Sequence, residues 1–172
     1  MTRIAQKVAM WSGPRNLSTA MMYSFGNRAD FDVVDEPFYA HYLAQTGLDH
    51  PMRDDVLASQ PHDANAVIQS LTKPKTQNFY QKHMSQHMIE SVPRDWMREV
   101  TNVFLIRHPA RVIASFAAKY DRVGLEDIGF TQQADLIAML RGWGHQPVVI
   151  DSYDIRQNPA EKLEHLCEAI NL

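Results

Sequence analysis

Short apolar runs alternate with stripes of helical period along the chain, and that alternation predicts an α/β protein. Residues 7–11, 31–34, 77–83, 102–106 and 147–150 read as strands. Between them, Leu17, Met21 and Phe25 recur at i, i+4 and i+8, the spacing of one helix face, over a predicted helix at 16–28. Further helices are predicted at 39–43, 64–71, 131–143 and 159–170, with a short one after Pro93. Another follows residue 106, with Val112, Ile113, Phe116, Ala117 and Tyr120 facing inward. The last helix turns Leu163, Leu166, Cys167 and Ile170 to the core. Strands alternating with helices predict a three-layer α/β/α domain around a mostly parallel sheet of about five strands. The first strand is expected near the sheet centre. No repeat or linker divides the chain, so residues 1–172 read as one domain.

Composition changes this picture little. The 172 residues are 45% hydrophobic, enough for a core that buries about 70% of the unfolded surface. A net charge of −3 gives no basic excess for nucleic acid, so an anionic ligand must be met by local positive charge. The single cysteine, Cys167, excludes an internal disulfide and suits a reducing compartment. Without a signal-like or membrane-length apolar run, the expectation is a cytoplasmic protein off the membrane. The oligomeric state stays open, a homodimer included.

The charged and hydroxyl residues matter more. Residues 8–22 read as strand, Gly13-Pro14 turn and helix, with Arg15, Ser18 and Thr19 where the turn becomes the helix. A helix start leaves N–H groups unpaired and carries partial positive charge, so the stretch is a candidate phosphate or sulfate site. It lacks the second glycine and the lysine of a nucleotide-triphosphate P-loop. Arg107 ends the fourth strand, and Ser115 lies eight residues on, about two helical turns into the next helix. His108, Arg111 and Ser115 fall on roughly one face. The arginine and the hydroxyl can grip one phosphate between them.

Together these stretches resemble the sulfotransferase superfamily, whose fold is P-loop-like. Its members use 3′-phosphoadenosine 5′-phosphosulfate (PAPS) as donor. The family's first motif is matched by Pro14-Arg15-Asn16-Leu17-Ser18-Thr19, and the resemblance implies that these residues hold the phosphosulfate. The second is matched by Arg107 and Ser115 and implies a grip on the 3′-phosphate. The stretch 150–159 is similar to the family's strand, acidic loop and Asn-Pro helix start. The sequence departs at Asn16 and Leu17, where the family has a small, glycine-containing pair. Ala20 replaces a tryptophan of many cytosolic members, and Ser152 a common tyrosine. Relatives continue past the point matching Leu172, so either the chain or its donor pocket lacks that segment. A Trp-Ser-x-Pro-Arg-x-x-Ser-Thr opening with an Asp-Glu-Pro-Phe-Tyr turn resembles bacterial sulfotransferase-like proteins of undefined substrate.

Sulfuryl transfer needs a base for the acceptor's proton and a cation for the leaving phosphate. The resemblance implies Glu36 or His83 as base, and Lys82 or Arg15 as the cation. His87, one helical turn beyond His83, is the third base candidate. His83 and His87 have i, i+4 spacing but no third ligand, so no metal is expected. Met84, Met88, Met97, Trp96 and Trp143 read as packing residues. Residues 38–76 are expected to shape the pocket of a small-molecule or carbohydrate acceptor. The leading expectation is transfer from PAPS to a hydroxyl or amine. A non-catalytic module that has lost donor binding is the alternative, and a nucleotide kinase or NTPase is disfavoured by the missing Gly-Lys-Ser/Thr element.

Overall fold

The computed structural model describes residues 5–118 and 124–172. Five parallel strands form one sheet: β1 (Lys7–Ser12), β2 (Phe31–Asp35), β3 (Asn78–Met84), β4 (Thr101–Ile106) and β5 (Val148–Asp151), in the order β2-β3-β1-β4-β5. All five expected strands are present, and β1 is central. The connection after β1 leads to β2 on one side, and the connection after β4 leads to β5 on the other. The carboxyl ends of β1 and β4 therefore bound the point where strand order reverses, the place where open α/β sheets hold ligands.

The helices are α1 (Ser18–Gly26), α2 (Tyr39–Thr46), α3 (Arg53–Ser59), α4 (Ala64–Thr72), α5 (Pro109–Ala117), α6 (Leu125–Ile128), α7 (Phe130–Gly142), α8 (Ser152–Gln157) and α9 (Pro159–Ala169). Two apolar clusters pack the two faces of the sheet. Val8 and Met10 of β1 join Met21, Phe25, Tyr80, Val103 and Leu166 on one face. Ala9 and Trp11 join Val67, Leu71, Phe79, Trp96, Phe104 and Leu140 on the other. The period-two alternation of a strand buried on both sides produces this split. Met84, Met88, Met97 and Trp96 are buried, and Trp143 packs against the second cluster, as expected.

Several local expectations change. The first helix begins at Ser18 rather than 16, because Leu17 is left-handed (φ 56°) and cannot continue a helix backwards. Residues 152–157, expected as an acidic loop, form α8, with Asp151 Oδ1 accepting the Tyr153 N–H at its start. Val112 is the one buried residue of α5, and Ile113 and Ala117 face outward. Tyr120 lies outside the described residues. Cys167 and Leu163 are half-buried, flanking the buried Leu166 and Ile170. Among the described residues, no helix is long and apolar enough to cross a membrane.

Candidate active site

The turn after β1 is fixed from several directions. A Cβ on Gly13 would approach the Ile128 carbonyl oxygen to 2.4 Å, so only glycine admits α6 this close. Arg15 and Leu17 both have left-handed backbones, φ 58° and 56°. Such conformations are uncommon for residues with a Cβ and concentrate at functional sites. Asn16 is buried and donates from Nδ2 to the Leu105 carbonyl at 2.6 Å, tying the turn to β4. Its Oδ1 is buried without a partner. Gln133, on α7, donates to the same carbonyl at 3.0 Å and to the Trp11 carbonyl at 3.3 Å. The carboxyl ends of β1 and β4 are thus bound by two buried amides. Polarity alone does not mark Gln133 within a helical stretch.

Helix α1 starts without a side-chain cap. The Ser18 and Thr19 hydroxyls do not cap it, so its first-turn N–H groups point toward the turn with their partial positive charge. Two contacts connect this turn to the second motif. Arg15 Nε donates to Ser115 Oγ at 3.0 Å, and Arg107 Nη1 donates to the Arg15 carbonyl. Ser115 thus faces the turn. His108 instead caps α5, its Nδ1 accepting the Ala110 N–H at 3.2 Å, and Arg111 lies over the Tyr153 ring at 4.3 Å. The three residues expected on one face therefore do different things.

A cavity of about 490 Å³ opens here. Arg15, Asn16, Leu17, Ser18, Thr19, Ala20, Arg107, Ser115, Ser152 and Arg156 line it. All seven residues singled out for donor binding meet at it. Arg156 had no motif to reveal it, because it reaches the cavity only through the α8 turn. No carboxylate lines the cavity among the described residues. Burial, and then the charges of Arg156, Arg111 and Arg15, push the Arg107 guanidinium below its ordinary pKa. Three like charges converge, and a bound anion would relieve their repulsion.

A second cavity, also about 490 Å³, adjoins the first. Pro14, Glu36, Tyr39, Tyr42, Asp49, His50, Pro51, Met84, Gln86, His87, Phe116 and Asp127 line it. Pro14 faces it while Arg15 faces the first; Phe116 faces it while Ser115 faces the first. The expected segment 38–76 contributes only its first part, Tyr39 to Pro51. Helices α3 and α4 lie outside the lining, and α4 packs Val67 and Leu71 into the core.

Glu36 enters this cavity from a left-handed backbone, φ 45°. Its N–H donates to the Lys82 carbonyl and its own carbonyl accepts the Tyr39 N–H, both at 2.9 Å. Glu36 therefore forms a tight turn after β2 and does not cap α2 with its side chain. Lys82 differs from expectation. Its Nζ is buried and pairs with Asp35 Oδ1 and Glu36 Oε1, each at 2.7 Å, and Lys82 lines neither cavity. Burial lowers its affinity for a proton, but Glu36 and Asp35 outweigh this and raise the pKa. Lys82 is a partner for carboxylates here, not a cation open to a ligand.

His83 also differs. It is the penultimate residue of β3, level with its register partner Trp11, and stacks on that indole at 4.3 Å between ring centroids. Trp96 and Phe38 enclose it, and its Nε2 lies 3.2 Å from Gln81 Oε1. Burial pushes its pKa down to about 3. Period-two geometry buries the imidazole in the core, away from both cavities. His87 is as buried but lines the second cavity, stacked on Tyr39 at 4.9 Å and close to Tyr42. Its Nδ1 has no partner, and burial, followed by His50, His83 and Lys82, lowers its pKa to about 3. The two histidines belong to separate packing clusters. Among the described residues, no group of three or more His, Cys, Asp or Glu side chains is placed to hold a metal ion.

This fold matches the solved sulfotransferase domain from the curacin biosynthetic pathway, with a TM-score of 0.61, 14% identity and coverage of 99% of this chain and 75% of that one. Two Arabidopsis thaliana proteins, branched-chain-amino-acid aminotransferase-like proteins 1 and 2, are 34% and 32% identical over 164 residues. Those residues are 94% of this chain but 29% of each relative, so the chain spans under a third of their length. A family model described as a sulfotransferase domain matches residues 6–172, and with the parallel sheet and the anion-ready turn in place, the chain belongs to the sulfotransferase domain family.

Proposed function

We propose that the protein transfers a sulfuryl group from PAPS to a hydroxyl or amine acceptor. The observation that carries this reading is the cavity at the uncapped start of α1, lined by three arginines and, among the described residues, by no carboxylate. Its chemistry fits a donor with two separate phosphate groups. Arg15 and the first-turn N–H groups of α1 would hold the phosphosulfate. Arg107, Arg156 and the Ser115 hydroxyl would hold the 3′-phosphate. The unpartnered Asn16 Oδ1 is a buried acceptor in the same lining.

The bound donor would supply an activated sulfuryl group whose bridging S–O bond breaks as the acceptor's oxygen or nitrogen bonds to sulfur. Glu36 takes the proton the acceptor loses. Its Oε1 is held by Lys82, leaving Oε2 for that proton. Arg15 stands at the seam of the two cavities and offsets the charge left on the departing phosphate. His87 is the weaker candidate base, because its burial opposes the imidazolium that proton uptake would create.

The test is calorimetric titration with PAP, the desulfonated product, against ATP and GTP. Binding of PAP well ahead of both triphosphates supports the reading. Failure of PAP to bind, or a preference for ATP, overturns it.

A further inference from the structure

We infer that the cavity holding Glu36 selects an acceptor with a positively charged nitrogen, an amine or ammonium group carried beside the group that is sulfated. The inference rests on reading this cavity as the acceptor's side of the transfer.

The two adjoining cavities have opposite charge. Three arginines line the first, while Glu36, Asp49 and Asp127 line the second with no lysine or arginine among its described lining residues. Glu36 already has Lys82 as counter-ion. Asp49 and Asp127 have no ion pair among the described residues; Asp127 Oδ2 only accepts the Gly124 N–H at 2.9 Å. Both are exposed carboxylates in the cavity wall, so a cationic ligand there would meet their charge. The Tyr42 phenol stands in the same field: burial, and then Asp127 and Glu126, raise its pKa. The cavity is also aromatic, with Tyr39, Tyr42 and Phe116 in its wall, and aromatic rings and carboxylates together favour organic cations. A second observation points to a ligand. His87 is buried in the lining with Nδ1 unpartnered, and a neutral imidazole nitrogen can accept from an ammonium N–H.

Three phenols whose short tails carry a positive charge, no charge and a negative charge test this: tyramine, 4-ethylphenol and 4-hydroxyphenylacetate. Each is titrated calorimetrically into the protein saturated with PAP at low salt. Tyramine should bind about tenfold tighter than 4-ethylphenol, with the anionic phenol weakest. Asp127→Asn should bring tyramine to within about threefold of 4-ethylphenol and leave 4-ethylphenol unchanged. Asp49→Asn carries the same comparison if the first variant unfolds α6. Equal binding of tyramine and 4-ethylphenol, tighter binding of the acid, or binding of none overturns the inference. PAP binding, measured beforehand on the same sample, reports on the donor separately. If PAP fails to bind, the transfer reading falls, and the three phenols are compared on the free protein.

Discussion

Arg15 Nε donates to Ser115 Oγ across 3.0 Å, joining residues 100 positions apart in the chain. Arg107 closes the same link from the other side by donating to the Arg15 carbonyl. The turn after β1 and the strand-end motif after β4 are therefore one structure. Changing a residue of either motif alters the other.

Arg107→Ala removes a cation from the cavity and a support of the Arg15 backbone. PAP affinity should fall by about a hundredfold or more, as expected for loss of a charge-assisted contact worth about 3 kcal/mol. The fold should survive, because Arg107 stands at the cavity wall. Calorimetry with circular dichroism checks both; unchanged affinity would reject its place in the donor site.

Ser115→Ala deletes the acceptor for Arg15 Nε and one hydroxyl donor, so PAP should bind about tenfold more weakly, from about 1–1.5 kcal/mol. Arg15→Lys should be worse, since an ammonium cannot keep the planar fork that reaches Ser115 and a phosphate together. A lysine variant with wild-type affinity would show that point charge alone suffices.

Glu36→Gln keeps the size of the side chain and removes the proton acceptor. Turnover should drop about 10²–10⁴-fold with donor affinity little changed. Lys82→Met should instead act on stability, by about 1–3 kcal/mol, because it leaves Asp35 and Glu36 crowded without their counter-ion. Lys82's contribution is full below its ordinary pKa of 10.5 and is lost as pH rises through its higher folded value, so this cost should be constant from pH 6 to 9. Urea titrations of wild type and variant across that range are the check.

His83 and His87 bind protons at about 3 in the fold but at about 6.5 when unfolded. Between those values the unfolded chain binds more protons, so stability should fall as pH drops from about 6.5 to about 3 and level off below. Above 6.5 both states are neutral and neither histidine adds a slope. His83→Leu should flatten the acid limb while sparing PAP binding at pH 7. An acid limb identical to wild type would contradict the buried neutral histidine.

Gly13→Ala should destabilise the fold by about 1–3 kcal/mol, because the new Cβ meets the backbone oxygen of Ile128 rather than a movable side chain. Thermal unfolding measures this, and a neutral effect would mean that α6 yields easily.

The sequence by itself determined the five strands, the parallel α/β layering and the two motifs that meet at the first cavity. These rest on local physics: strands buried on both faces are apolar throughout, amphipathic helices repeat every 3.6 residues, and a turn opening a helix exposes N–H groups. It could not separate Lys82 and His83 from Glu36, since all three lie at strand ends of the same sheet edge. Tertiary structure decided among them. Strand register set His83 on Trp11, the turn at Glu36 drew Lys82 between two carboxylates, and α8 brought Arg156 to the arginine-lined cavity. Nor could spacing along the chain show that two cavities of opposite charge meet at Pro14–Arg15 and Ser115–Phe116. That arrangement exists only once β1 and β4 lie side by side, and side-chain orientation across a sheet is set by register and packing rather than by local sequence.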